Sequence, residues 1–447
     1  MQTDRGAVRG TARDGGLAFL GIPYAAPPVG GLRFAAPQPH AAWQGVLDAT
    51  RTGSACAQPA GPLSPLATDV EDCLFLNVYT QPAAQGLPVI VWIHGGSFTS
   101  GSGNEYIGTQ LSAAGHLVVI TINYRLGLLG FLASPALDSS GDSGNYGIED
   151  QQAALRWVHA NIAAFGGDPG NVTIAGESAG ALSVCAQLAS PGAAGLFAKA
   201  IAESGACAAP FLTRAQAEAM GQRIVTDSLG CAGDAAAVAA CLRTLPVAKI
   251  EAAQLTLLDD LFVAPSVGGA DLPGQPVRAL GKVPLLLGGN TLEQGLFILQ
   301  AVPTAATYDA EVRRIYGANA EAVLREYPVT DYASPFIALS TVESDDLPYP
   351  SIALCADLAT ATAQATTAAP VYLYEFADPN APASFLTRPS GPLHTAELPY
   401  LWRDVARQRG LLLGVPLPPA SQQLSDQMIG YWSRFAATGD PNGPGVP

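Results

Sequence analysis

Residues 176–180, Gly-Glu-Ser-Ala-Gly, are the part of the chain whose residue types and spacing first suggest chemistry. They follow an apolar, β-branched run at residues 172–174, which is typical of a buried strand. A serine on a strained turn between a strand and a helix exposes its hydroxyl, and glycines on both sides let the backbone pass closely. The pattern predicts that Ser178 is a nucleophile. A glycine-serine turn without chemistry is the alternative.

A serine hydroxyl needs a base to take its proton and an acid to orient that base. His394 is the histidine that follows the last predicted strand, so we predict that it is the base. Glu293 lies in the loop GGNTLEQG, just after the apolar run at 283–287, and gives the chain order Ser, Glu, His. A solvated loop carboxylate is the alternative for Glu293. The other histidines are His40, His94, His116 and His159.

A glycine-rich loop could supply the donors that such a nucleophile needs. His94-Gly95-Gly96-Ser97-Phe98 comes directly after the apolar run PVIVWI. Its backbone N–H groups, together with the N–H of Ala179, could stabilise negative charge that develops on a carbonyl oxygen. Read as structure alone, the loop is a flexible turn.

The apolar runs indicate the sheet that positions these loops. Residues 17–21 and 73–79 are strand-like pieces between Pro/Gly-rich loops, which predicts an antiparallel entry to a sheet. Later runs are apolar on both faces and are separated by helical stretches, which predicts parallel strands covered by helices. These runs are 88–93, 117–122, 172–175, 198–202, 283–287 and 371–376, and a helix is predicted between 150 and 165.

Composition limits the classes of function. The chain has 447 residues, 49% hydrophobic content and a net charge of −15, so it can bury a large core and would be repelled by nucleic acid or an anionic membrane. No apolar run reaches the roughly 18 residues of a membrane helix. We predict one domain over 1–447 with helical insertions at 213–253 and 304–338. We also predict that the protein uses no metal or cofactor, that it is a monomer, and that it binds a small molecule.

The cysteines indicate the cellular compartment in which the protein works. Cys56 and Cys73, and Cys231 and Cys241, are close in sequence within loop-like stretches, which suits short disulfide loops in an exported protein. Reduced, partly buried thiols are the alternative. The N-terminus lacks the apolar core of a signal peptide, so we expect a secreted or periplasmic protein without its leader, or else a cytoplasmic one.

The chain resembles the type-B carboxylesterase family, which includes the cholinesterases and bacterial nitrobenzyl-type esterases. Ordered motifs carry the resemblance along nearly the whole chain: FLGIPYAAPPVGGLRF, EDCLFLNVY, VIVWIHGGSF, NYRLGLLGF, GNYGIEDQQAALRWV, FGGDPGNVTIAGESAGA, CLRTLP, PLLLGGNTLEQG, HTAELPYLW and FAATGDPN. The resemblance implies an α/β-hydrolase fold, with a mostly parallel central sheet, an antiparallel N-terminal part and helical insertions.

The resemblance also assigns roles to residues. It implies a triad of Ser178, Glu293 and His394, and an oxyanion hole formed by Gly95, Gly96 and Ala179. The disulfides that it implies are Cys56–Cys73 and Cys231–Cys241, which would leave Cys185, Cys207 and Cys355 free, and the ion pairs are Arg33–Glu71 and Arg125–Asp150.

Three departures from the family pattern affect these expectations. The family's acidic loop has glycine directly after the glutamate, whereas Gln294 follows Glu293 and Gly295 comes next. Since an amide cannot supply the orienting charge, we choose Glu293. The short loop between Cys56 and Cys73 has neither the tryptophan with which cholinesterases hold quaternary ammonium nor the long lid of family lipases. The chain also stops at Pro447, where the family pattern continues, so we expect it to be short or truncated.

We therefore expect a serine carboxylesterase that hydrolyses short- to medium-chain esters through an acyl-enzyme. A polyester, lactone, amide or carbamate hydrolase with the same triad, or a non-catalytic binding homologue, remains the alternative. Glu177 and Ser204 are predicted to support the base, or else to form a structural polar pair. Phe98, Leu292, Phe297 and Trp402 are predicted pocket walls, or else ordinary core.

Overall fold

A computed structural model of the chain shows a twisted central sheet covered by helices on both faces. It describes residues 1–60, 66–138, 143–255, 264–298, 304–346, 352–382, 391–403 and 417–443. Within these residues no helix combines the length and the apolar character that a membrane crossing requires.

Nine strands of the described chain form the main sheet, in the order β13-β12-β9-β8-β6-β7-β5-β3-β2. The pairs from β13 to β7 are parallel, and those from β7 to β2 are antiparallel. This confirms the predicted fold class. The strands are β1 (Ala7–Arg9), β2 (Thr11–Arg13), β3 (Gly16–Pro23), β4 (Val46–Asp48), β5 (Phe75–Thr80), β6 (Leu87–Ile93), β7 (Val118–Ile122), β8 (Gly167–Glu177), β9 (Lys199–Glu203), β10 (Leu212–Thr213), β11 (Ser266–Val267), β12 (Leu285–Asn290) and β13 (Val371–Phe376).

The helices include both predicted insertions, which are formed by α5 to α7 and by α8 to α10. The helix predicted between 150 and 165 is α3, continued by a single 3₁₀ turn up to Gly166, whose φ of 87° suits glycine. The helices are α1 (Thr109–Gly115), α2 (Gly127–Phe131), α3 (Tyr146–Asn161), α4 (Ala179–Ala189), α5 (Arg214–Arg223), α6 (Ala235–Thr244), α7 (Val247–Leu255), α8 (Ala305–Tyr316), α9 (Ala320–Glu326), α10 (Pro335–Asp345), α11 (Leu354–Ala365), α12 (Leu398–Leu401) and α13 (Pro419–Thr438).

The central strands carry apolar side chains on both faces because both faces are covered. In β6, Val89, Val91 and Ile93 point into one buried cluster, whereas Ile90 and Trp92 point into a second cluster on the opposite face. This alternation follows from the two-residue repeat of a strand. Each face therefore has its own core, and the loops at the carboxyl ends of the parallel strands are held between two rigid layers.

Two ion pairs implied by the family resemblance are formed in the structure. Arg33 donates to both oxygens of Glu71, at 2.6 and 2.5 Å. Arg125 donates to both oxygens of Asp150 at 2.8 Å, and Asp150 is fully buried. A buried guanidinium that donates to both oxygens of one carboxylate fixes the relative position of the two side chains, because neither group has water as an alternative partner.

The structure contains three disulfides, one more than the sequence suggested. Cys56–Cys73 and Cys231–Cys241 are formed as expected. The expectation that Cys185 and Cys207 are free is wrong, because they are bonded to each other with Cα atoms 5.1 Å apart. Cys185 lies on α4 and Cys207 follows β9, so this bond joins the helix after the predicted nucleophile to the neighbouring strand's loop.

We expect peptide mapping under non-reducing conditions to find three linked pairs and a single alkylatable thiol, Cys355, which is exposed. Alkylation of the denatured protein before and after reduction measures both numbers. Three alkylatable thiols before reduction would mean that the Cys185–Cys207 bond does not form.

Candidate active site

Ser178 occupies the sharp turn between β8 and α4. Its backbone has φ 58° and ψ −122°, a conformation that a residue with a side chain rarely adopts. The flanking glycines are required sterically: a Cβ at Gly176 would lie 2.5 Å from the Gly180 carbonyl carbon, and one at Gly180 would lie 2.0 Å from the Ile93 oxygen. The turn thus presents the serine at the end of the sheet, as the sequence predicted.

The predicted acid and base meet at the same end of the sheet. Glu293 follows β12, and its Oε2 lies 2.5 Å from His394 Nδ1. Glu293 Oε1 accepts hydrogen bonds from Ser204 Oγ at 2.5 Å and from the Asn290 N–H at 2.6 Å. Both carboxylate oxygens are therefore held in place. The side chain that contacts His394 is that of Glu293, while the neighbouring Gln294 donates its backbone N–H to Ser344 Oγ at 3.0 Å.

The Glu293 contact leaves His394 Nε2 for proton transfer. A carboxylate at Nδ1 favours the tautomer whose proton is on Nδ1, and Nε2 is then the basic nitrogen. Glu177 Oε1 lies 3.2 Å from Nε2, which places this residue beside the base, as predicted. Ser204 was predicted there too, but its hydroxyl contacts Glu293 and not the imidazole.

The glycine-rich loop lies against the nucleophile. A Cβ at Gly95 would lie 2.7 Å from Glu177 Oε2 and 3.1 Å from Ser178 Cβ, so only glycine fits there. Gly96 has φ 105°, and its carbonyl accepts from the N–H groups of Thr99 and Ser100. Gly95 and Gly96 line the same cavity as Ser178. The N–H of Ala179 is the first of α4 and has no partner within its helix.

A cavity opens over these groups. Its described lining includes Gly95, Gly96, Ser178, His394 and Phe297, together with Ser97, Ser100, Gly101, Glu105, Tyr106, Glu177, Leu296, Thr395 and Leu398. Of the four predicted wall residues, Phe297 is in the lining, with its ring 5.2 Å from that of His394. The structure does not place the other three there. Phe98 packs on Phe131, Trp402 packs on Trp92, and Leu292 pairs with Leu393.

The comparison with known proteins identifies the chain. The model of the carboxylesterase family matches residues 1–447. The chain belongs to the carboxylesterase family. It is 37% identical to the para-nitrobenzyl esterase of Bacillus subtilis, over 99% of this chain and 90% of that protein, and 34% identical to human cocaine esterase, over 98% and 82%.

Solved structures agree with this assignment. A solved structure of a para-nitrobenzyl esterase superposes with a TM-score of 0.82 at 35% identity, and the match covers 100% of this carboxylesterase and 92% of that chain. The Geobacillus stearothermophilus carboxylesterase EST55 gives the same TM-score, identity and coverage. The relatives are esterases, and this carboxylesterase is a carboxylic ester hydrolase.

Several buried carboxyl groups of the carboxylesterase lie near Glu293 and His394. Burial raises the pKa of Glu177 to about 8, of Glu397 to about 7 and of Asp357 to about 8. It raises the pKa of Glu203 well above the ordinary value, although Trp432 donates to Glu203 Oε1 at 2.7 Å. Desolvation penalises the charged form of each group, so each of these carboxyls holds its proton to a higher pH than an exposed carboxyl does.

Sequence reasoning missed three polar residues of this region. Glu397 comes three residues after His394, a spacing that could have been noticed, and it accepts from Asn290 Nδ2 at 2.5 Å. Glu105 completes a capping pattern with Ser102 and lines the cavity. Asp357 lies on α11, far from any motif, and gives no signal in the sequence. In the described part of the chain, no group of His, Cys, Asp and Glu side chains is arranged to hold a metal.

We expect Glu177→Gln to shift the acidic limb of the kcat/KM profile to lower pH. Burial alone would lower the pKa of His394, but the Glu177 and Glu293 carboxylates raise it to about 9. Removal of one carboxylate makes the imidazole easier to deprotonate, so the active neutral base persists to lower pH.

The profile is measured with a neutral ester, with the exposed Glu326→Gln as the control for loss of one negative charge. If the acidic limb of the Glu177→Gln profile lies at the same pH as that of the wild type, Glu177 carries no charge while His394 titrates.

Proposed function

We propose that Ser178, His394 and Glu293 form the catalytic triad of this ester hydrolase and that the enzyme acts through an acyl-enzyme. The observation that carries the proposal is the 2.5 Å contact between Glu293 and His394 beside the cavity that Ser178 lines on its strained turn. Sequence order, sheet position and the cavity lining all support the same assignment.

In the proposed first half-reaction, Ser178 Oγ attacks the ester carbonyl and gives its proton to His394 Nε2. Glu293 stabilises the imidazolium, and the N–H groups of Gly95, Gly96 and Ala179 donate to the oxyanion. The intermediate then breaks its bond to the alcohol oxygen, which takes the proton from Nε2 and leaves. The product is an acyl ester on Ser178.

In the second half-reaction, His394 Nε2 takes a proton from water, and the resulting hydroxide adds to the acyl carbonyl. The same N–H donors stabilise the second oxyanion. Its collapse breaks the bond to Ser178 Oγ, which recovers its proton from Nε2 and releases the carboxylic acid. Buried hydrogen bonds from Ser204 and Asn290 keep Glu293 oriented through both halves.

We further propose that the preferred acyl groups are short to medium in length. The cavity wall has few large apolar or aromatic side chains, which are Tyr106, Leu296, Phe297 and Leu398. Each added methylene should lower the free energy of the bound transition state by up to about 0.8 kcal/mol, and should thereby raise kcat/KM, until this wall is filled. The loop between Cys56 and Cys73, on which the sequence prediction rests, is only partly within the described residues.

Two measurements test the function. A reactive phosphonate ester should label one serine, and peptide mass analysis should place the adduct on Ser178. A series of nitrophenyl esters from acetate to palmitate, beside one anilide, should give its highest turnover at short to medium acyl length. An adduct elsewhere would overturn the triad, and a rate that rises through palmitate would indicate a lipase. A faster anilide would indicate an amidase, and no turnover would favour a binding homologue.

We also propose that the protein works in an oxidising compartment. Three disulfides among seven cysteines support an exported protein, because cytosolic reductants keep most thiols reduced.

A further inference from the structure

The segment at the end of β9, residues 203–207, contacts two members of the proposed triad. The Glu203 carbonyl accepts the backbone N–H of Ser178 at 2.9 Å. One residue later, Ser204 Oγ donates to Glu293 Oε1 at 2.5 Å. The segment therefore lies between the nucleophile and the acid, and its position affects the geometry of both.

Ser204 has a backbone conformation that its surroundings must maintain. Its φ of 55° lies in the left-handed region, which is unfavourable for a residue with a side chain. Its backbone N–H donates to the Gly288 carbonyl at 2.7 Å, which continues the pairing of β9 with β12 by one residue. Because this N–H is fixed, any relaxation of φ turns the side chain instead. A movement of the residues that follow would thus carry the hydroxyl away from Glu293.

The residues that follow are held against α4. A Cβ at Gly205 would lie 2.7 Å from Ala181 Cβ and 2.9 Å from the Ser178 carbonyl oxygen, so the backbone there passes directly over the first turn of α4. Two residues further on, Cys207 is bonded to Cys185, on the second turn of the same helix. Both cysteines are fully buried. The bond thus fixes this part of the chain to the helix that begins at the nucleophile.

The Cys231–Cys241 bond provides a contrast. It spans a sequence separation of 10 and closes a loop onto α6, within the inserted helices. Neither of its cysteines belongs to the described lining of the cavity. The Cys185–Cys207 bond instead joins α4 to the loop after β9, and each of these elements carries a group that the proposed mechanism uses.

We propose that the Cys185–Cys207 bond is a positioning element of the reaction, which holds Ser204 in the conformation in which its hydroxyl orients Glu293. The inference rests on the proposed function, because it acts through the acid of the triad. Loss of the bond lets the segment move away from α4 and lets Ser204 relax towards an ordinary φ. Glu293 then loses a donor to Oε1, and the imidazole that it orients is correctly placed for a smaller fraction of the time.

The test measures kcat and KM for nitrophenyl acetate in the Cys185→Ala/Cys207→Ala variant. Labelling of Ser178 by a reactive phosphonate counts the folded active sites, so kcat is obtained per site even if part of the protein misfolds. We expect kcat and kcat/KM to fall together by roughly fivefold, because the bond supports proton transfer and not substrate binding. The control Cys231→Ala/Cys241→Ala also removes one disulfide and should keep the wild-type kcat.

Ser204→Ala distinguishes positioning from a general loss of stability. Alone, it should lower kcat by about tenfold, the order of one hydrogen bond to a charged group. If the bond acts through this hydroxyl, breaking the bond in the Ser204→Ala background should lower kcat no further, whereas independent effects would multiply. A second variant, Cys185→Val/Cys207→Ala, returns apolar volume without the bond and should be as slow as the double-alanine variant.

A kcat within about twofold of the wild type after loss of the bond would overturn the inference. Multiplied losses in the triple variant, or recovery of kcat by valine, would also overturn it, since the bond would then act through stability or by filling space. If neither bond-free variant can be labelled although Cys231→Ala/Cys241→Ala can, the bond serves folding and the inference is wrong.

Labelling and turnover of the wild type report on the proposed function separately. If the wild type is labelled on Ser178 and the bond-free variants keep their kcat, only the role of the bond is wrong. If the adduct lies elsewhere, the proposed triad and this inference are both wrong.

Discussion

Ser178→Ala is expected to lower kcat for ester hydrolysis by roughly 10³-fold or more. The substitution removes the atom that forms the acyl-enzyme in the proposed mechanism and leaves the rest of the cavity unchanged. Among the described residues, no hydrogen bond of the Ser178 hydroxyl supports the fold. The backbone N–H of Ser178 donates to the Glu203 carbonyl at 2.9 Å, and alanine preserves that bond. The strained φ of 58° is equally unfavourable for serine and alanine.

Hydrolysis of a nitrophenyl ester measures the loss, and thermal unfolding shows whether the fold persists. Ser54→Ala, on an exposed loop, serves as the matched control and should retain full activity. A Ser178→Ala enzyme that keeps a tenth of the wild-type rate would contradict the assignment, since water activated by His394 alone is a poor substitute for a bound nucleophile.

The second large effect concerns stability. We expect the free energy of unfolding to fall as the pH rises from about 4.5 through about 8. Glu397, Asp357 and Glu203 are buried, and desolvation raises the pKa of each, to about 7 and about 8 for the first two. Between the unfolded and the folded pKa, the native state holds a proton that the unfolded chain releases.

The sign follows from that difference in bound protons. The contribution of each such group to the free energy of unfolding is fully present below its unfolded pKa. It decreases by up to about 1.4 kcal/mol per pH unit until the folded pKa is passed. His394 acts in the same direction between 6.5 and about 9, because its folded pKa is also raised. Together these groups predict a loss of several kcal/mol across the window.

Denaturant unfolding at a series of pH values measures the slope. Glu203→Gln is the informative variant, since an amide oxygen can still accept from Trp432 Nε1 but cannot ionise. Its unfolding free energy should fall less steeply with pH than that of the wild type. A wild-type stability that increases towards alkaline pH would show that these carboxyls are ionised in the native state.

Local signals in the sequence were enough to predict the sheet and the turn at Ser178. The strands β6, β7 and β12 are continuous apolar runs because both faces are covered, and runs of that kind are visible without a structure. Gly176 and Gly180 mark the turn at Ser178 because no other residue fits there. These features depend on neighbours in sequence, so the predictions were confirmed for the fold.

The predictions that failed depend on contacts between distant elements. Cys185 and Cys207 are joined across α4 and the end of β9, and their spacing alone does not distinguish a bond from two buried thiols. Phe98 follows the glycine-rich loop directly, yet its φ of 59° turns the ring into the core against Phe131. The buried carboxyl groups come from β9, α11 and the segment after His394, so no sequence window contains them together.

The rate at which a reductant cleaves the Cys185–Cys207 bond can be used to measure local opening of the structure around Ser178. Both of its cysteines are fully buried, whereas Cys241 of the Cys231–Cys241 bond is partly exposed. Thiolate attack requires access to a sulfur, so a reductant can reach the Cys231–Cys241 bond in the native molecule but must wait for α4 and the loop after β9 to separate. The time between reduction of the Cys231–Cys241 bond and reduction of the Cys185–Cys207 bond therefore measures how often α4 and the loop after β9 separate beside Ser178.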